Sequence, residues 1–174
     1  SEVRANIQRG VEPAIERAKI LAHSSSVQKA LTNADTPALT DLANQYIVDA
    51  TEIDVIAFFD REGKLQAINT IDGEGNAFND ESIRSLFEQD YSNVEVVRSC
   101  LTNTNHTPAL EFQTSCNFTP ALFGSSGLSV AYSHPLTHDN SVLGVVSVRM
   151  RFERISELIS DSNFVREGNR IDLI

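Results

Sequence analysis

Apolar residues recur at alternating spacings of four and three through Ile7, Val11, Ala14, Ala18 and Leu21. That spacing draws one stripe along a long N-terminal helix, with the pattern fading near Leu31. By Asp54 the period has changed. The runs Asp54-Val-Ile-Ala-Phe-Phe59 and Val142-Leu-Gly-Val-Val-Ser-Val148 are short, continuous and rich in β-branched and aromatic residues, as strands are. A chain that switches period in this way must lay a helical layer on a sheet, because neither can bury its apolar side alone. The four-three spacing also suits a coiled-coil seam, so a homodimer through this helix is expected. Pro13 lies inside the pattern and should kink it near Gly10, unless the regular helix starts only there, and the Ser24-Ser25-Ser26 run weakens it.

A second helix start follows at Asp35-Thr36-Pro37, where a capping residue precedes a first-turn proline, and Leu39, Leu42, Ala43, Tyr46 and Ile47 give its apolar face. Asp54–Phe59 and Leu65–Ile68 flank Asp60-Arg61-Glu62-Gly63-Lys64 and predict a β-hairpin with a positive φ at Gly63. The Gly- and Asn-rich stretch 71–80 reads as a loop. Glu81–Phe87 and Val94–Leu101 read as short helices, and Thr102–Pro108 as another loop. Ala109–Thr114, Gly127–His134 and Val142–Phe152 are strand candidates, the last two joined through Thr137-His138-Asp139-Asn140. Glu153–Ile159 is again helical. The order predicts an α+β domain with a five-stranded antiparallel sheet and helices mainly on one face. Residues 1–34 form the leading helix, 35–160 the body and 161–174 an exit segment.

Composition narrows the function. With 41% hydrophobic and 22% charged residues the chain is a folded globular protein. Its formal net charge of −10 opposes nucleic acid and anionic lipid, which need clustered Lys and Arg. No apolar run approaches the roughly 20 residues of a membrane span. The chain opens inside a helical pattern at Ser1-Glu2-Val3-Arg4 and stops on Ile171-Asp172-Leu173-Ile174, which suggests a piece of a longer protein. Signals for catalysis are poor. Gly124-Ser125-Ser126-Gly127 misses the Gly-x-Ser-x-Gly spacing of a nucleophile elbow, no two carboxylates form an acid–base couple, and there is no phosphate loop. The expectation is a binding module that is not an enzyme and carries no cofactor.

Several segments together resemble the Cache domains, the PAS-like extracytoplasmic sensors of histidine kinases, chemoreceptors and diguanylate cyclases. They are Asp54 to Leu65, similar to that family's first hairpin, and Asp90-Tyr91-Ser92 before a short helix. The last is Gly127-Leu-Ser-Val-Ala-Tyr-Ser-His-Pro135 with Val142 to Val148, similar to its closing hairpin. The resemblance implies a long N-terminal helix rising from a membrane anchor in the parent protein and a periplasmic or extracellular location. It also implies a small-molecule pocket and a dimer that passes a displacement through the membrane. Amino-acid sensors of that family place an Arg and a Trp in the crossover helix and an acidic residue in the last strand. Here there is no Trp, Asn93-Val94-Glu95 occupies the crossover, and Arg149 stands about where the acid would be. A small anion, a carboxylate above all, is therefore the expected ligand.

Alternation along Val145–Arg151 puts Val146, Val148 and Met150 on one side, toward the long helix, and Ser147, Arg149 and Arg151 on the other. A guanidinium looking into a concave face offers a fork of donors to a carboxylate, whereas the bland alternative is a solvated strand-end Arg. Tyr132 and His134 share a face of the neighbouring strand, and Phe112 and Thr114 share a face of the strand before it. These four could line a pocket with Arg149, or Tyr132 could be plain core and His134 surface. His134 and His138 are four apart, a helical ligand spacing on what reads as strand and turn, so no metal is expected. Cys100 and Cys116 either form a disulfide in an oxidising compartment or stay two buried thiols. The competing reading of the whole chain is a structural or dimerisation module of the same fold that binds nothing small. An intracellular PAS domain with heme or flavin fits less well, because the ligating or thiol-adduct motifs are missing.

Overall fold

A computed structural model describes residues 2–48, 50, 53–102, 107–113 and 129–151. Helix α1 runs over Glu2–His23, unbroken through Pro13, and the break falls at Ser24. There the serine side chain caps α2 (Ser25–Thr32) by accepting from the Val27 N–H at 3.4 Å. Asp35 accepts from the Ala38 N–H at 3.2 Å and so caps α3 (Thr36–Val48), the second start that its sequence announces. Strands β1 (Val55–Asp60) and β2 (Leu65–Ile68) form the expected hairpin, and Gly63 adopts a φ of 80° in its turn. Helices α4 (Asp80–Phe87) and α5 (Glu95–Thr102) make the crossover to β3 (Ala109–Gln113), β4 (Ser129–His138) and β5 (Ser141–Arg151). Thr114, Cys116, the glycine-serine loop, the helical pattern at Glu153–Ile159 and the segment 161–174 lie outside the described residues.

The sheet order is β2-β1-β5-β4-β3, with every pairing antiparallel. The last strand in sequence is thus the middle one in space. Helices cover both of its faces, which explains why β1 and β5 read as near-continuous apolar runs. One face carries α1 to α3. Val11, Ala14, Ala18 and Leu21 of α1, Val27 and Leu31 of α2, and Leu39, Ala43 and Ile47 of α3 close on Ile56, Phe58, Val146, Val148 and Met150. Leu21, Leu39 and Ile47 are fully buried there, each contributing about 1.5–3 kcal/mol. This corrects the reading of the stripe as a dimer seam. From Val11 to Leu21 it is the chain's own core, and what α1 leaves exposed is its outer side, including Ile20 at 53% exposure.

The crossover packs on the other face. Leu86, Val96, Val97 and Cys100 meet Val55, Ala57, Phe59, Ala131 and Val145. Tyr91 pins this layer from the loop between α4 and α5. Its ring lies 5.3 Å from that of Phe59, and its hydroxyl donates to the Leu86 carbonyl at 2.7 Å. Among the described residues, no helix is long and apolar enough to cross a membrane.

Candidate functional site

Register decides which side chains can act together. β4 pairs with β5 so that Ala131 faces Arg149, Ser133 faces Ser147 and Tyr132 faces Val148, while β1 pairs Val55 with Arg149 and Ala57 with Ser147. Directly paired residues share a face. Arg149, Ser147, Ser133 and Ser129 therefore look toward the crossover helices, and all four are buried, Arg149 to 3% exposure. They form a polar strip on an otherwise apolar floor. One of the hydroxyls of Ser133 and Ser147 donates to the other at 3.0 Å. The Ser129 hydroxyl is buried without a hydrogen bond, a position in which a polar group is normally satisfied. The Arg149 carbonyl accepts from the Asp54 N–H at 2.9 Å, which fixes the backbone beneath the guanidinium.

Cys100 of α5 roofs the strip. Its thiol is buried and bonded to no other sulfur among the described residues, 3.5 Å from the Ser133 carbonyl and 3.9 Å from that of Thr107. Burial pushes its pKa up to about 11, the bond to Ala109 acting weakly the other way. Near neutral pH a rise of about two units leaves such a thiol with roughly 100-fold less thiolate than an unperturbed one. In protein kept reduced, Cys100 is accordingly expected to resist an aromatic disulfide reagent while folded and to react only after denaturation, and a burst of native-state reaction would show the roof to be open.

The structure does not bring the sequence-derived site residues onto one surface. Tyr132 and His134 lie on the opposite face from Arg149, against α1. Tyr132 is in the helix-side core, and burial there pushes its pKa up to about 12, with Cys100 and Glu16 adding to the rise. The His134 ring meets that of His23 on α1 at 5.4 Å. Phe112 pairs with Val130 in register, and Thr114 and Cys116 lie outside the described residues. His138 sits exposed at the β4–β5 turn, 3.3 Å from the Asp139 carboxylate and away from the inward side of the sheet. Among the described residues, no three ligating side chains cluster. The serines were within reach of sequence reasoning. Ser129 and Ser133 keep the same alternation on β4 that Ser147 and Arg149 keep on β5, and only the register was lacking.

Two open clefts lie at the far end of the sheet. One, of about 390 Å³, is lined by Leu31, Thr32, Asp60, Arg61, Glu62 and Leu143, and the other, of about 360 Å³, shares Thr32 and Leu143 with it. Gly144, beside them, is five residues from Arg149 along β5, about 17 Å at the rise of a strand. They are separate from the polar strip.

No protein-family model matches the chain, and no curated protein matches it in sequence. Solved structures do match. The sensor domain of the Vibrio cholerae histidine kinase DctB superposes with a TM-score of 0.54 at 15% identity, covering 93% of this chain and 59% of that one. The ligand-binding domain of the Pseudomonas aeruginosa amino acid chemoreceptor PctC, solved with GABA, gives 0.60 at 15% identity, covering 94% and 62%. The Escherichia coli DcuS sensor domain gives 0.58 at 13% identity, covering 90% and 99%. The fold is that of the PAS-like sensor domains. This chain thus spans about three fifths of the DctB and PctC domains and nearly all of the DcuS domain, and the expected five-stranded Cache-type architecture is the one observed.

Proposed function

We propose that this chain is the extracytoplasmic sensor domain of a membrane receptor and that it binds a small organic anion at Arg149, between the sheet and α5. The observation that carries this reading is the buried strip itself, a guanidinium and three serine hydroxyls on the central strands under a helical crossover. A guanidinium has five N–H donors, more than the two that one carboxylate engages, so an incoming acid adds to contacts Arg149 already makes. Water is largely excluded there, so a charge-assisted pair is stronger than at the surface. The sensor domains that share the fold support placing the parent protein in a membrane and this domain outside the cytoplasm. Binding without chemistry fits the strip, which offers donors and no acid–base pair. A dimer through α1 would use the helix's outer side around Ile20, since the inner stripe is core.

Thermal shift with a panel of mono- and dicarboxylic acids tests the site. At about 100 times its dissociation constant a specific ligand adds about 2.7 kcal/mol, which raises the melting temperature of a domain this size by about 5–11 °C. The rise should disappear in Arg149→Ala. Acids that stabilise both proteins equally would end the anion reading and leave the fold untouched. In an oxidising compartment Cys100 and Cys116 are further proposed to pair, with the closed loop contributing about 3 kcal/mol. Two titratable thiols in unreduced, denatured protein purified from the periplasm would exclude that bridge.

A further inference from the structure

We propose that the contact between His23, in the last turn of α1, and His134 on β4 is a proton-operated latch, and that adding a proton there frees the end of α1 from the sheet. The two rings meet edge to face, 5.4 Å apart at 77°, across the one boundary where the long helix lies on β4. His23 is exposed and His134 half-buried. Neutral His134 donates from Nδ1 to the Pro135 carbonyl at 2.8 Å, which leaves Nε2 without a proton. A second proton would place a cation beside His23 and Lys19, which are four apart on the same side of α1.

Little on the surrounding elements could offset it. On α1, Glu16 is engaged by Lys19 at 3.6 Å. On β4 the neighbour is Tyr132, which is uncharged, and across β5 the partner is Val146. The nearby stretch of β3 offers Ala109 and Leu110, and His138 with Asp139 sits out at the turn. The His134 imidazolium is correspondingly disfavoured, first by burial and then by His23 and Lys19, against an opposing pull from the Pro135 carbonyl. Its pKa in the folded state is therefore below the ordinary 6.5. The sign follows from that direction. Unfolded chains take up the proton first, so the stabilisation is complete above pH 6.5 and is lost as the pH falls from 6.5 toward the lowered value. The latch lies on the face opposite Arg149 and does not depend on the ligand reading.

Histidine-ring NMR titration and amide hydrogen exchange on the whole chain, for wild type, His23→Gln, Lys19→Gln and His134→Gln, test the latch. His134 should titrate below 6.5 in the wild type, and its midpoint should rise by about half a pH unit in His23→Gln or Lys19→Gln. Between pH 7.5 and 5.5, corrected for intrinsic exchange, protection at Leu21, Ala22 and His23 should fall about ten-fold more than at Ala14, and His134→Gln should abolish that difference. An unmoved His134 midpoint in both neighbour variants, or the same loss of protection in His134→Gln, overturns the proposal. Should His134→Gln fail to fold, the two exposed variants decide by themselves.

Discussion

Placing a methyl group at Gly144 is expected to cost about 3 kcal/mol of folding stability, a fall of about 6–12 °C in melting temperature. Gly144 pairs with Asp60 across the β1–β5 ladder and with Leu136 across β4–β5. A Cβ there would lie 2.2 Å from the Phe59 carbonyl oxygen and 2.6 Å from Cδ2 of Leu31. The leucine methyl can rotate away. The carbonyl is backbone, so relief requires β1 and β5 to part where α2 presses on them, and both the ladder and the helix contact suffer. Urea unfolding should show a lower midpoint at unchanged slope, because the surface exposed on unfolding does not change. A loss below about 1 kcal/mol would mean that the ladder opens freely at this point, and the close approach would cease to be a constraint on the fold.

The same stretch explains what the sequence could and could not show of the site. Element types were legible because each rests on a local signal: a four-three stripe, the cap at Asp35, a glycine in a turn. The faces of the strands were not. Asp139 and Asn140 both have positive φ, as a two-residue type I′ turn requires, and His138 pairs with Ser141 and Thr137 with Val142. Carried on regularly, that register would set Tyr132 opposite Ser147 and so on the same face as Arg149. Instead the register shifts between Leu136 and Thr137, Leu136 pairs with Gly144, and Leu143 is the extra residue. One residue of slip sends every side chain beyond it to the other face. Tyr132 and His134 thereby moved to α1, and Ser133 and Ser129 took their places beside Arg149.

The helical stripe failed for a different reason. Val11, Ala14, Ala18 and Leu21 say that one side of α1 must be covered, and the four-three spacing is shared by helices that lie on a sheet and helices that lie on each other. Their sequence does not say which. Val146, Val148 and Met150 supply the cover from the strand that arrives last in the chain, a contact set by topology and invisible to any local window. Residue type carries some of the answer in retrospect. Ala14 and Ala18 are small, and a helix approaching the pleated surface of β4 and β5 needs small residues where the two are closest.

Removing the side chain of Asn69 is expected to destabilise the domain by about 4 kcal/mol, or about 8–16 °C, although nothing in the sequence marks this residue as special. Asn69 follows β2 and is fully buried. Its backbone N–H donates to the Ile56 carbonyl at 3.2 Å, and its Oδ1 accepts from the Ile56 N–H at 2.9 Å, so the side chain replaces the next rung of the β1–β2 ladder. Its Nδ2 donates to the carbonyls of Asp54 at 3.2 Å and Ile71 at 2.9 Å. Asp54 in turn passes its N–H to the Arg149 carbonyl, so one amide ties the end of β2, the entry to β1 and the backbone under the candidate site. Asn69→Ala leaves a donor and two acceptors buried with fewer partners, at roughly 1–3 kcal/mol for each group left unsatisfied. Asn69→Asp separates this account from a plain packing loss. Its carboxylate keeps the bond from Ile56 but turns an oxygen toward two carbonyls, and burial among them raises its pKa in the folded state. Such a variant binds its proton more tightly folded than unfolded, so its stability relative to wild type should recover as the pH is lowered through that raised value. Denaturation curves between pH 8 and 5 read this directly, and an Asp variant that tracks the Ala variant at every pH would show that the amide's hydrogen bonds are not what holds this corner together.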